Sequence, residues 1–141
     1  MRGSGRAALI AFALAALAAQ AQEESWRARL ATVPIDPATA ATVTGLGEAA
    51  AELDGRELTV TGSFAGLAGP ATIAQLREGP YTGVRGDVIA DLSVTPAAEG
   101  SVSGSVELTS AQVESLQAGR LYIQIHSQSA PDGNLWGWLL P

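Results

Sequence analysis

The chain of 141 residues has no cysteine and no lysine, a single histidine and only seven aromatic residues. Without cysteine there are no disulfides, no thiol nucleophile, no cysteine-ligated zinc and no iron–sulfur cluster. Very small secreted domains usually need such staples, but about 120 residues can bury a sufficient core without them. Without lysine there is no P-loop. With His126 alone, a catalytic zinc or copper–zinc centre built on several imidazoles is excluded. A Gly-x-Ser-x-Gly elbow is missing too. Its nearest approach, Ser103-Gly104-Ser105, falls inside a strand, where no strained turn exposes the hydroxyl. No D-x-[DN]-x-[DN]-G calcium loop occurs. Among the acids, only Asp87 and Asp91 are near each other on one strand, sharing a face roughly 13 Å apart, too wide for a glycosidase pair. They read as solvated surface charge, and neither a metal nor a cofactor is expected.

What is present starts with an export signal. Met1 to Arg6 carries two positive charges, Ala7–Ala19 is an unbroken apolar run of thirteen, and Ala19-Gln20-Ala21 has the small-x-small form that signal peptidase accepts. As a helix the run spans roughly 20 Å against a hydrocarbon core of about 30 Å, short for a membrane span. Residues 1–21 are therefore expected to be a removable signal peptide, cut after Ala21, with no membrane span after processing. Two arginines leave with it. The remaining 120 residues, enough for one domain, carry six arginines against fourteen acids, a formal charge of −8. That balance disfavours nucleic acid and anionic lipid as partners, and the expected location is secreted or periplasmic.

Residues 22–29 read as a flexible lead-in with Trp26 as its only anchor, and 30–141 as a β domain. Arg56–Phe64 is the clearest strand, with Leu58, Val60, Gly62 and Phe64 on one face. Leu53-Asp54-Gly55-Arg56 before it reads as a hairpin turn, with 48–53 as the partner strand. Further strands are expected near 71–77, 87–94 and 101–108, and a long exposed loop over 78–86. One short helix follows: Thr109 and Gln112 form a capping box, Leu108 and Val113 a staple, and Gly119 the left-handed stop. A C-terminal hairpin turns at Pro131-Asp132-Gly133-Asn134. Seven to eight short strands at this spacing suggest an antiparallel β-sandwich of Greek-key character rather than a closed barrel.

The second half of the chain has a recognisable pattern. Leu108 to Gln112, then Leu116-Gln117-Ala118-Gly119-Arg120-Leu121-Tyr122-Ile123-Gln124-Ile125-His126-Ser127, then Pro131 to Leu135, resembles the closing half of a CHRD domain. Leu58-Thr59-Val60 and Phe64 to Thr72 resemble its central strand, its "GL-GP" turn and its next strand. The resemblance covers most of residues 30–140. It implies an immunoglobulin-like antiparallel β-sandwich with one short helix before the C-terminal hairpin, an extracytoplasmic setting and no established reaction. Two departures stand out. The family's usual His-x-His is absent from Ile73 to Gly79, and Trp136-Gly137-Trp138 replaces its usual polar residue, Gly and Gln.

Alternation places Leu121, Ile123 and Ile125 in the core opposite Leu135, Gly137 and Leu139. Tyr122, Gln124 and His126 then share the other face with Trp136 and Trp138. Tyr122, His126, Trp136 and Trp138 are accordingly the candidate binding residues, and no catalytic residue is assigned. A register slipped by one would instead turn both tryptophans inward, and the Trp26 segment is a further candidate to cover them. The functional expectation is a non-enzymatic CHRD-type module that binds an unknown protein or envelope component or serves a structural role at the cell envelope. The alternatives are a hydrolase or metal-dependent enzyme on a sandwich that uses His126 with an Asp or Glu, and a degenerate member of a metal-binding family.

Overall fold

Period-two burial runs through the strands, and the computed structural model shows what it builds. The structure describes residues 24–141, so the expected signal peptide and its Ala19-Gln20-Ala21 site lie outside the described residues. Eight strands follow in order: β1 (Glu24–Thr32), β2 (Leu46–Asp54), β3 (Glu57–Ala65), β4 (Ala71–Glu78), β5 (Asp87–Val94), β6 (Gly100–Glu107), β7 (Leu121–Ser127) and β8 (Leu135–Trp138). One helix, α1 (Ser110–Gln117), stands between β6 and β7. The domain is thus all-β with one short helix. Among the described residues no helix is long and apolar enough to cross a membrane.

The strands neighbour one another in the order β1-β2-β3-β6-β5-β4-β7-β8, and β8 returns to β1. The runs β3-β6-β5-β4 and β7-β4-β5-β6 are two overlapping Greek keys. The connectivity expected from the spacing is therefore present, but the sheet closes into a barrel, and the open immunoglobulin-like sandwich is not what forms. Two strands make the difference. β1 pairs with β2 as far as Leu30, then passes to β8 at Ala31 and Thr32. β5 pairs with β4, then passes to β6 at Ser93 and Val94. Each corner strand pairs with both halves, so no sheet edge is left entirely unpaired.

The lead-in is also corrected. Residues 24–32 form a full strand whose alternate residues Trp26, Ala28 and Leu30 are buried while Arg27 and Arg29 face out. Small inward alanines hide this pattern in the sequence. The β2–β3 turn is found one residue later than expected: Asp54 pairs with Glu57, leaving Gly55-Arg56 as a two-residue loop with Gly55 at φ 66°. In β5 the register against β4 shifts after Leu76, so Ile89 is an extra residue. Asp87 therefore pairs with Glu78 and Asp91 with Gln75, and the two aspartates do not share the face that simple alternation gave them.

The core is filled from both halves by Trp26, Leu30, Leu58, Val60, Phe64, Leu76, Leu121, Ile123, Ile125 and their neighbours. Fully burying such a side chain contributes roughly 1.5–3 kcal/mol. The helix forms where the capping box placed it. The Gln112 N–H donates to Thr109 Oγ1 (3.1 Å) and the Thr109 N–H donates to Gln112 Oε1 (2.9 Å), and Gly119 ends it at φ 76°. Its buried Ser115 hydroxyl donates to the Glu78 carboxylate and accepts from Arg120 Nη2 (2.7 Å), fixing α1 to the ends of β4 and β7.

Candidate functional site

The outer face of β7 and β8 has the expected register. Tyr122 lies opposite Trp138, Ile123 opposite Gly137, Gln124 opposite Trp136 and Ile125 opposite Leu135. The slipped register does not form, because Leu121, Ile123 and Ile125 are needed inside. Gly137 permits this hairpin to close on β1: a side chain there would meet the Arg29 carbonyl and the Leu30 side chain. Below the aromatics the turn is tied by a buried network. Ser127 Oγ donates to Asn134 Oδ1 (2.7 Å), and Asn134 Nδ2 donates to the Thr44 carbonyl (2.8 Å).

Tyr122, Trp136 and Trp138 form one cluster. Tyr122 and Trp138 stack with centroids 4.5 Å apart, and Trp136 meets both edge-on at 6.2 and 4.8 Å. Trp136 and Trp138 are half-buried, but Tyr122 is fully buried although it points outward. The loop expected over 78–86 is exposed from Pro80 to Arg85, but its end returns to Tyr122. The Gly86 N–H donates to the Tyr122 hydroxyl (2.9 Å), which donates back to the Gly86 carbonyl (3.3 Å). Arg77 grips the same carbonyl through Nε and Nη2 (3.2 and 2.9 Å), and the Thr82 hydroxyl donates to the Gly119 carbonyl (2.6 Å). Arg85, from the same segment, places its guanidinium 5.1 Å from the centre of the Trp136 ring, a cation–π geometry. The Trp26 segment covers nothing here, since Trp26 is in the core.

His126 joins the face as expected. Its Nδ1 lies 2.8 Å from the Pro131 carbonyl, which can only accept, so Nδ1 carries the proton. Nε2 then accepts from the Gln124 amide at 3.1 Å. Neither hydrogen bond involves a carboxylate. Across the sheet, Arg77 Nη1 donates to Gln75 Oε1 (2.9 Å) and Gln75 Nε2 to Asp91 Oδ1 (3.3 Å). Two buried polar atoms on this face have no hydrogen-bond partner among the described residues: the indole Nε1 of Trp138 and Oε1 of Gln124, whose residue is only 2% exposed. One is a donor and the other an acceptor, on neighbouring cross-strand rows.

The structure therefore brings together all four residues singled out by the sequence. Gln124 and Arg85 are the members that sequence reasoning passed over. Gln124 carried a signal, since it shares a face with Tyr122 and His126. Arg85 carried none, because its place depends on how the 79–86 segment folds back. Among the described residues no group of three or more His, Asp or Glu is placed to hold a metal ion.

The family model of the CHRD domain matches residues 19–139. No curated protein and no solved structure matches the chain.

Proposed function

This chain belongs to the CHRD domain family, and on that premise we propose that it is a non-enzymatic, exported module that binds another macromolecule of the cell envelope through the aromatic face of β7 and β8. The observation that carries the reading is the pair of half-buried tryptophans, Trp136 and Trp138, clustered edge-on at the surface over the stacked ring of Tyr122. The half-buried tryptophans add contact area at a small entropic cost, whereas Tyr122, fully buried, only supports them from beneath. The hydrogen bonds of His126, to a carbonyl and an amide, support a positioning role over acid–base work.

The test compares wild type with Trp138→Phe, which keeps a ring against Tyr122 but loses the larger indole surface. Binding to the envelope fraction should fall about tenfold in affinity, which corresponds to about 1.4 kcal/mol of lost contact. The melting temperature should fall less than for Trp138→Ala, because a smaller ring still packs on Tyr122. Equal capture of the same partner by wild type, Trp138→Phe and Trp136→Ala would refute the binding face.

A further inference from the structure

Six arginines lie among the described residues, and four are engaged. Arg56 pairs with Glu107, Arg77 holds the Gly86 carbonyl, Arg85 covers Trp136 and Arg120 reaches Ser115. Arg27 and Arg29 make no side-chain hydrogen bond or ion pair among the described residues. Two apart on the outer face of β1, they are spaced by roughly 6.8 Å. Both line a concavity of about 820 Å³ floored by Leu30, Gly47 and Phe64, with Leu46, 68% exposed, on its lip. The hollow opens where β1 leaves β2 for β8. Glu48, the one acid among its lining residues, lies directly opposite Arg29 in the register, but no ion pair between them is formed among the described residues.

The opposite end of β2 has the complementary character. Glu52 and Asp54 are exposed on the same outer face, again two apart and so at the same spacing. Asp54, Glu57 and Glu107 form one row across β2, β3 and β6. This acidic edge ends in a projecting turn, for a side chain added at Gly55 would meet open space. Two guanidinium groups without an ion pair among the described residues thus match, in sign and in spacing, two exposed carboxylates nearer the hairpin tip.

We infer that the groove receives the β2–β3 hairpin tip of a second copy of this chain, with Arg27 and Arg29 binding Glu52 and Asp54. Guanidinium and carboxylate suit this by bidentate hydrogen bonding. Arg27 and Arg29 stand opposite Ala50 and Glu48, so the basic and acidic pairs are separate patches with centres roughly 14 Å apart along β2, and the contact is head-to-tail and repeats into rings or filaments. This assembly uses a different surface from the aromatic face.

Sedimentation velocity on the protein as the cell processes it tests the inference, with two variants shown by their melts to be folded. One is Arg27→Ser/Arg29→Ser, which loses the groove; the other is Glu52→Gln/Asp54→Asn, which loses the tip. Wild type should associate with rising concentration and dissociate in about 1 M salt, where screening is nearly complete. Each variant alone should stay monomeric at concentrations about tenfold higher. An equimolar mixture of the two should give dimers and nothing larger, because one intact tip meets one intact groove. Trp138→Phe should assemble like wild type. A monomeric wild type, variants that associate as wild type does, or a mixture that forms no dimer would overturn the inference. So would a monomeric wild type that binds an added peptide with glutamates at alternate positions, since the groove would then serve a different acidic chain.

Discussion

One hydroxyl ties Gly86, at the end of the 79–86 segment, to the sheet through two hydrogen bonds. The Tyr122 ring is fixed by its stack on Trp138, whereas its oxygen exchanges two hydrogen bonds with the backbone of Gly86. Tyr122→Phe keeps the ring and leaves the Gly86 N–H without that acceptor, so a loss of about 1–2 kcal/mol is expected in denaturant melts. Amide exchange at Gly86 should quicken while the β7–β8 ladder stays protected. Unchanged protection at Gly86 would mean that Arg77 alone suffices. The tryptophans belong between two limits: a fully buried Trp→Ala costs roughly 3–5 kcal/mol, a surface change about 0.5. Both are half-buried and shield Tyr122, so Trp136→Ala and Trp138→Ala should each cost about 1–3 kcal/mol. Losses near the upper limit for both would make the cluster part of the core rather than a binding face.

Elements whose signals are local are legible in the amino-acid sequence itself. The capping box of α1 is such a case, because Thr109, Gln112 and Gly119 need only one another. Thr109→Ala should cost about 1 kcal/mol and Thr109→Ser much less, readable from the melting temperature. The β7–β8 register is legible for a similar reason, since shifting it by one residue would expose three core side chains at once. Other features depend on distant partners and are not legible. Alternation in β1 is present in the sequence as Trp26, Ala28 and Leu30, but alanine carries little apolar weight and two arginines lie between. The exposed loop over 78–86 is legible from its glycines and proline, but the bond that ties its end to Tyr122 depends on a distant partner. The bulge at Ile89 comes from pairing, not from any local turn residue. Barrel closure is the largest difference from the expected fold, because strand period and spacing are the same in a sandwich and in a barrel. What decides between them is a pair of strands that each change partner midway.

At the scale of the whole molecule, that closure assigns β1 a role its sequence does not advertise. β1 contributes Trp26, Ala28 and Leu30 to the core, pairs with β2 over seven residues, and bonds Arg27 to Leu140 in both directions (2.7 and 2.9 Å). The strand from Glu24 is therefore part of the domain. N-terminal sequencing of the exported protein should give Gln22. A chain that begins at Gln22 should fold with cooperative melts that superimpose with and without EDTA, since among the described residues no group of three or more His, Asp or Glu is placed to hold a metal ion. A chain that begins at Leu30, where the alternation in the sequence first looks regular, should not fold. It lacks Trp26, a loss that alone approaches 3–5 kcal/mol, against a total stability of about 5–15 kcal/mol for most domains. It also uncovers the edge of β2 that β1 had paired, an invitation to aggregate. Circular dichroism and size exclusion on the two chains decide the matter. A monomeric Leu30 chain with a melt like that of the Gln22 chain would show that β1 ornaments the barrel rather than closing it.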